Sequence, residues 1–72
     1  MSEIPEIIQN DTNNNLDFFG GMCEISYEGQ KNGYDLYLAG NCNIGGPSIL
    51  YLVQNNNIIE KKYGLEALLY LS

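Results

Sequence analysis

Histidine, arginine and tryptophan are absent from this 72-residue chain, and the first two absences each remove a class of chemistry. Without histidine there is no side chain that titrates near neutral pH, so the usual general base is missing and zinc loses its commonest nitrogen ligand. Without arginine there is no planar fork to hold a phosphate through two hydrogen bonds. Lys31, Lys61 and Lys62 are the only cationic side chains, set against nine carboxylates for a net charge of -6. Phosphate contacts supply most nucleic-acid affinity, so direct nucleic-acid binding is disfavoured and a charged partner should be basic. Long apolar runs are missing too. No stretch approaches the roughly 18 residues of a membrane span, and MSEIPEIIQN is acidic, contains a proline and lacks a signal-peptide core. The expectation is a soluble cytoplasmic protein with no membrane partner, resident in a host cytoplasm if phage-encoded.

What is present is enough for one domain. Hydrophobic residues make up 44% of the chain, an ordinary globular share. A chain this short buries only about 60% of its unfolded surface, so its stability is marginal unless it is stapled or oligomerises. Residues 1–17 divide into IPEIIQ, a short apolar patch, and NDTNNNLD, a polar run that reads as a linker or loop. From Phe18 the composition changes. MCEISYEG, YDLYLAGN, SILYLVQ, IIEKKY and LEALLYL each have strand length, are rich in Tyr, Ile and Leu, and are bounded by turn residues. The division is thus an N-terminal segment over 1–17, loosely held, and a small β domain over 18–72.

Asn32-Gly33 between two such runs predicts a hairpin with a type I′ turn. Counting outward pairs Lys31 with Tyr34, Tyr27 with Leu38, Ile25 with Gly40 and Cys23 with Cys42. One face then carries Ile25, Tyr27, Leu36 and Leu38, and the other Glu24, Ser26, Glu28, Asp35 and Tyr37. Gly29 takes a strand-like slot. A second hairpin joins SILYLVQ to IIEKKY through Asn55-Asn56-Asn57, with a register ambiguous by one residue. Leu-Tyr-Leu recurs at 36–38, 50–52 and 69–71. On a strand this places the leucines on one face and the tyrosine on the other. LEALLYL therefore reads as a strand, with a short helix as the alternative, since Ala67, Leu68 and Leu69 are good helix formers. The fold class is mainly β: an antiparallel meander of four to five strands, open or curled into a small barrel.

Few residues carry chemistry. Cys23 and Cys42, placed opposite each other, fall within reach of a disulfide, although reduced thiols fit the intracellular reading better. Two thiols without histidine make no zinc site. Asp11, Asn13 and Asn15 match the first three ligand positions of an EF-hand loop, but Leu16 and Met22 stand where glycine and glutamate are required. The expectation is no metal and no cofactor. Gly20-Gly21 after Phe18-Phe19 resembles a double-glycine leader, which implies an exported peptide precursor; a glycine bend entering the sheet is the plainer reading. NIGGP lacks the lysine and hydroxyl of a phosphate-binding loop.

Tyr37, Tyr51 and Tyr70 are expected to line one face of the sheet near Glu24, Glu28 and Asp35. An exposed aromatic and acidic face suits protein binding, because tyrosine offers large contact area at low entropic cost. The same tyrosines could instead be covered by the IPEII segment. No carboxylate or tyrosine pair is placed by a catalytic motif, so no enzyme is expected. The function expected is a protein-binding module directed at a basic protein. By composition it is akin to small acidic inhibitors of phages and mobile elements that cover a basic, nucleic-acid-binding surface of a host defence protein. The alternative is an oligomeric binder that sequesters a small ligand or nucleotide between tyrosine faces, with a homo-oligomer as the partner state.

Overall fold

The computed structural model describes residues 4–15, 17, 24–40 and 48–71. Its elements are helix α1 (Glu6–Asn14), strands β1 (Glu24–Lys31), β2 (Tyr34–Gly40), β3 (Ser48–Gln54) and β4 (Asn57–Tyr63), and helix α2 (Leu65–Leu71). The four strands form an antiparallel meander in the order β1-β2-β3-β4. The sheet is not closed into a barrel. The mainly β meander expected from the sequence is therefore the fold, with a helix on each face.

Both hairpins turn through residues with positive φ. Asn32 and Gly33 sit at φ 55 and 84, and Asn55 and Asn56 at φ 54 and 62, the left-handed pair that a type I′ turn demands. Asn55-Asn56 is thus a two-residue turn, and Asn57 belongs to β4 opposite Gln54. Each hairpin then breaks register a few residues from its turn. On β1 the shift falls between Tyr27 and Gly29; on β4 Ile59 is the extra residue, since Val53 pairs with Ile58 and Leu52 with Glu60. Gly29 adopts φ 93, a conformation open to glycine and costly for other residues. Both bulges lie on edge strands, where they twist the exposed backbone away from foreign pairing.

The first bulge corrects the predicted register. Lys31 pairs with Tyr34 as expected, but beyond Gly29 the pairs are Tyr27 with Tyr37, Ser26 with Leu38 and Ile25 with Ala39. One inserted residue moves Ile25 and Tyr27 to the face of Tyr37. It also shifts by one the register from which Cys23 and Cys42 were set opposite each other. The cysteines themselves, Gly20-Gly21 and the NIGGP loop lie outside the described residues.

The Leu-Tyr-Leu pattern holds for its first two copies. Tyr37 and Tyr51 pack with Ile8, Ala39, Ile49 and Val53 under α1, while Leu36, Leu50 and Leu52 pack with Ala67 on the opposite face. The polar run NDTNNN is helical through Asn14 rather than a loop. Ile4, Ile8 and Thr12 recur every four residues, so one stripe meets the sheet; Ile8 and Thr12 are buried. The helix starts after Pro5, whose carbonyl accepts from the Ile8 and Gln9 amides, and Asn15 closes it by donating from its backbone to Thr12 and from its side chain to the Asp11 carbonyl.

The third copy of the pattern is the other correction, because LEALLYL is α2 and not a strand. Gly64, at φ 56, ends β4 and its carbonyl accepts from the Ala67 and Leu68 amides, starting the helix. The leucine face of β2 and β3 needed a cover, and a fifth strand added to the edge of β4 could not have supplied one.

Candidate functional site

A row of paired residues crosses the middle of the sheet: Tyr27 on β1, Tyr37 on β2, Tyr51 on β3 and Lys61 on β4. Helix α1 covers one end of it. Tyr51 is fully buried, and its hydroxyl donates to Asp11 Oδ2 at 2.7 Å. Lys61 Nζ reaches both Asp11 carboxylate oxygens at 3.3 Å. The carboxylate that matched the first ligand position of a calcium loop is thus engaged in seating α1. Tyr37 is 9% exposed.

At the other end the row emerges. Tyr27 is 41% exposed, and its ring meets that of Tyr37 with centroids 5.1 Å apart, tilted by 46°. Its hydroxyl donates to Asp35 Oδ1 at 3.2 Å. Desolvation and the Asp35 charge hold the Tyr27 and Tyr37 phenols above the ordinary tyrosine range, with the Asp35 hydrogen bond acting in the same direction on Tyr27. At neutral pH both are uncharged. Tyr27 is therefore a rigid aromatic plate with an acidic neighbour. Glu24 and Ser26 project from the opposite face of β1, and the Ser26 hydroxyl donates to Glu28 Oε2 at 2.8 Å. Glu24, Ser26, Tyr27 and Glu28 are all exposed, so the outer edge of the sheet is acidic on both sides of one tyrosine.

The structure divides the residues singled out in the sequence. Glu24, Glu28 and Asp35 gather on the first hairpin. Tyr37 and Tyr51 share a face but are buried, as the covering alternative has it. Tyr70 is on the other side of the sheet, so the three tyrosines do not form one exposed face. Its ring lies between Lys31 Nζ at 5.0 Å and Lys62 Nζ at 5.3 Å from the centroid. Lys31 also donates to the Tyr70 carbonyl at 2.6 Å, and Asn32 Nδ2 to its hydroxyl at 3.3 Å. Tyr70 ties α2 to the first hairpin and to β4.

Tyr27 is the residue that sequence reasoning missed as an exposed group. The signal was present: a glycine two positions later, inside a strand, marks a bulge. The lysines complete the electrostatic picture. Lys61 is bound to Asp11, Lys62 to Glu60 at 2.7 Å, and Lys31 to the end of α2. Each of the three lysines thus has a partner within the fold. Among the described residues no group of three carboxylates or thiols is placed to hold a metal ion, and no helix is long and apolar enough to cross a membrane. Compared with known proteins, the chain matches no family model, no curated protein and no solved structure.

Proposed function

We propose that the chain is a non-enzymatic protein-binding module that engages a basic protein surface with the outer edge of β1. The observation that carries this reading is Tyr27, an exposed tyrosine held by Tyr37 and Asp35 on an edge strand that also exposes Glu24 and Glu28. Aromatic anchors with little freedom left to lose make the strongest contacts in interfaces. The surrounding carboxylates steer a basic partner and set its approach. The narrower reading, an inhibitor of phage or mobile-element type acting on a host defence protein in the cytoplasm, draws its support from composition: a net charge of -6, no arginine and three lysines, each committed to the fold. Sequestration of a small ligand between tyrosine faces has less to support it, since Tyr51 is buried and Tyr70 lies across the sheet.

The test is a pull-down from lysate at low and high salt, followed by kinetics against the captured protein. Tyr27→Ala should speed dissociation and weaken binding by about 1–2 kcal/mol. The double change Glu24→Gln, Glu28→Gln should slow association and flatten its salt dependence. Parental kinetics in both variants, with folding confirmed by circular dichroism, would remove β1 from the interface.

A further inference from the structure

The row of paired residues carries a tyrosine hydroxyl on a carboxylate at both of its ends. At the covered end the Tyr51 hydroxyl donates to Asp11 at 2.7 Å, and Lys61 Nζ completes the set at 3.3 Å from both carboxylate oxygens. At the open end the Tyr27 hydroxyl donates to Asp35 Oδ1 at 3.2 Å. No cation completes that set. The chain has three lysines and no arginine, and the lysines are engaged elsewhere: Lys61 at Asp11, Lys62 at Glu60 and Lys31 at the Tyr70 carbonyl. Asp35 is half-buried, so water relieves its charge only in part, and the residue opposite it on β1 is the neutral Gln30.

We propose that an arginine of the partner protein completes the open end, its guanidinium stacked on Tyr27 and paired with Asp35, in the role that Lys61 takes at Asp11. The inference rests on the reading of the β1 edge as the partner surface and names the group that the partner brings to it. Charge complementarity calls for a cation: the chain carries a net charge of -6 and exposes Glu24 and Glu28 on the same strand, which draws a positive group in. The chemistry of the seat selects arginine over lysine. A guanidinium is planar and weakly hydrated, so one placement lets it lie on an aromatic face and donate to a neighbouring carboxylate. An ammonium group is compact and strongly hydrated, and loses more water for each contact it makes. The seat is also set in advance. Tyr37 supports the Tyr27 ring at a centroid separation of 5.1 Å, and the hydroxyl is held by Asp35 itself, so little freedom is left to lose on binding.

Nuclear magnetic resonance titration of the full chain with the blocked peptide acetyl-Gly-Arg-Gly-amide tests the seat, with the lysine and citrulline peptides beside it. Citrulline keeps the shape of arginine and lacks its charge. The arginine peptide should give shifts concentrated at Tyr27 and Asp35, saturating with a dissociation constant of roughly millimolar order. The lysine peptide should bind more weakly and the citrulline peptide should leave both residues unmoved. Asp35→Asn and Tyr27→Leu should each weaken arginine binding about two- to fivefold, with circular dichroism unchanged. Should Asp35→Asn unfold, Tyr27→Leu, at an exposed position, carries the comparison. Shifts scattered over the carboxylates with none concentrated at Tyr27 overturn the proposal, and so does a lysine or citrulline peptide that binds as tightly. Kinetics against the captured partner keep this failure apart from that of the β1 edge. Parental kinetics in Asp35→Asn, with faster dissociation in Tyr27→Ala, would remove the arginine and keep the edge as the interface. Parental kinetics in both would remove the edge and the seat together.

Discussion

The contact between Asp11 and Tyr51 is the sharpest test of how α1 is held, because the helix meets the sheet through few polar groups. The Tyr51 hydroxyl donates to a carboxylate at 2.7 Å from a residue that is fully buried. Hydrogen bonds to charged groups contribute about 1.5–3 kcal/mol. The Lys61 ion pair adds less, about 0.2–1 kcal/mol, since its side chains remain 31% and 25% exposed. Tyr51→Phe keeps the ring packing and should cost about 1.5–2 kcal/mol. Asp11→Ala removes both interactions and should cost about 2–3 kcal/mol. For a domain of this size each kcal/mol lowers the melting temperature by roughly 4–8 °C. The double variant should cost clearly less than the sum of the two, with a coupling of about 1–2 kcal/mol. Urea unfolding of the parent and three variants measures this cycle. Additive losses would refute the reasoning, because they would mean that Asp11 and Tyr51 act on stability independently and that α1 is seated by its apolar stripe alone.

Two further predictions follow from backbone and charge. Gly29→Val and Gly33→Val should each cost about 1–3 kcal/mol in chemical denaturation, because φ is 93 and 84 there; an added Cβ at Gly29 meets nothing within 4 Å, so the loss is conformational and Gly29→Asn should recover part of it. Alkali should destabilise the fold. Tyr27 and Tyr37 hold their protons above the ordinary tyrosine value of 10.0, and Lys62, hydrogen-bonded to Glu60, above 10.5. In all three cases the folded state binds the proton more tightly. Their contribution is therefore complete below pH 10 and is lost as pH rises through the folded values. Ultraviolet absorbance of tyrosinate, uncluttered by tryptophan, should show late-titrating tyrosines that are fewer in Tyr37→Phe and return to the ordinary tyrosine range in urea; stability that is flat from pH 9 to the onset of unfolding at much higher pH would contradict it.

Much of the fold was legible because local signals agreed. Asn-Gly between alternating runs specifies a type I′ turn almost unaided, and two of the Leu-Tyr-Leu copies split their residues between faces as the pleat requires. Other elements were decided by tertiary demand. LEALLYL has a strand's composition as readily as a helix's, and nothing local separates the two in so short a run. The deciding facts are the left-handed Gly64 and an uncovered leucine face formed by residues more than ten positions away. The Asn-rich stretch is similar. Asparagine is a poor helix former, yet Ile8 and Thr12 find a sheet to pack on and Asp11 a buried hydroxyl, and those contacts outweigh propensity.

The candidate site failed to appear in the sequence for a narrower reason, which is the cost of counting in twos. A strand face is assigned by parity, so a single bulge reverses every assignment beyond it. Reading Gly29 as an ordinary strand position put Tyr27 on the leucine face; the bulge moves it to the face of Tyr37, where α1 buries Tyr37 and leaves Tyr27 half exposed at the edge. The aromatic and acidic character expected of the binding face survives, because Asp35 sits on the turn side of the bulge and keeps its face, while Glu24 and Glu28 lie on an edge strand exposed on both sides. Only the anchor changes. Tyr27→Ala and Tyr37→Ala therefore separate the two readings. Tyr37 is buried under its neighbours, so truncating it should cost stability on the scale of a core aromatic, about 3–5 kcal/mol. Truncation of the half-exposed Tyr27 should leave the fold nearly intact and cost binding instead. If Tyr37→Ala proves the milder change in thermal unfolding, α1 does not bury Tyr37 and Tyr27 is not the exposed member of the pair, and the anchor proposed for the partner goes with it.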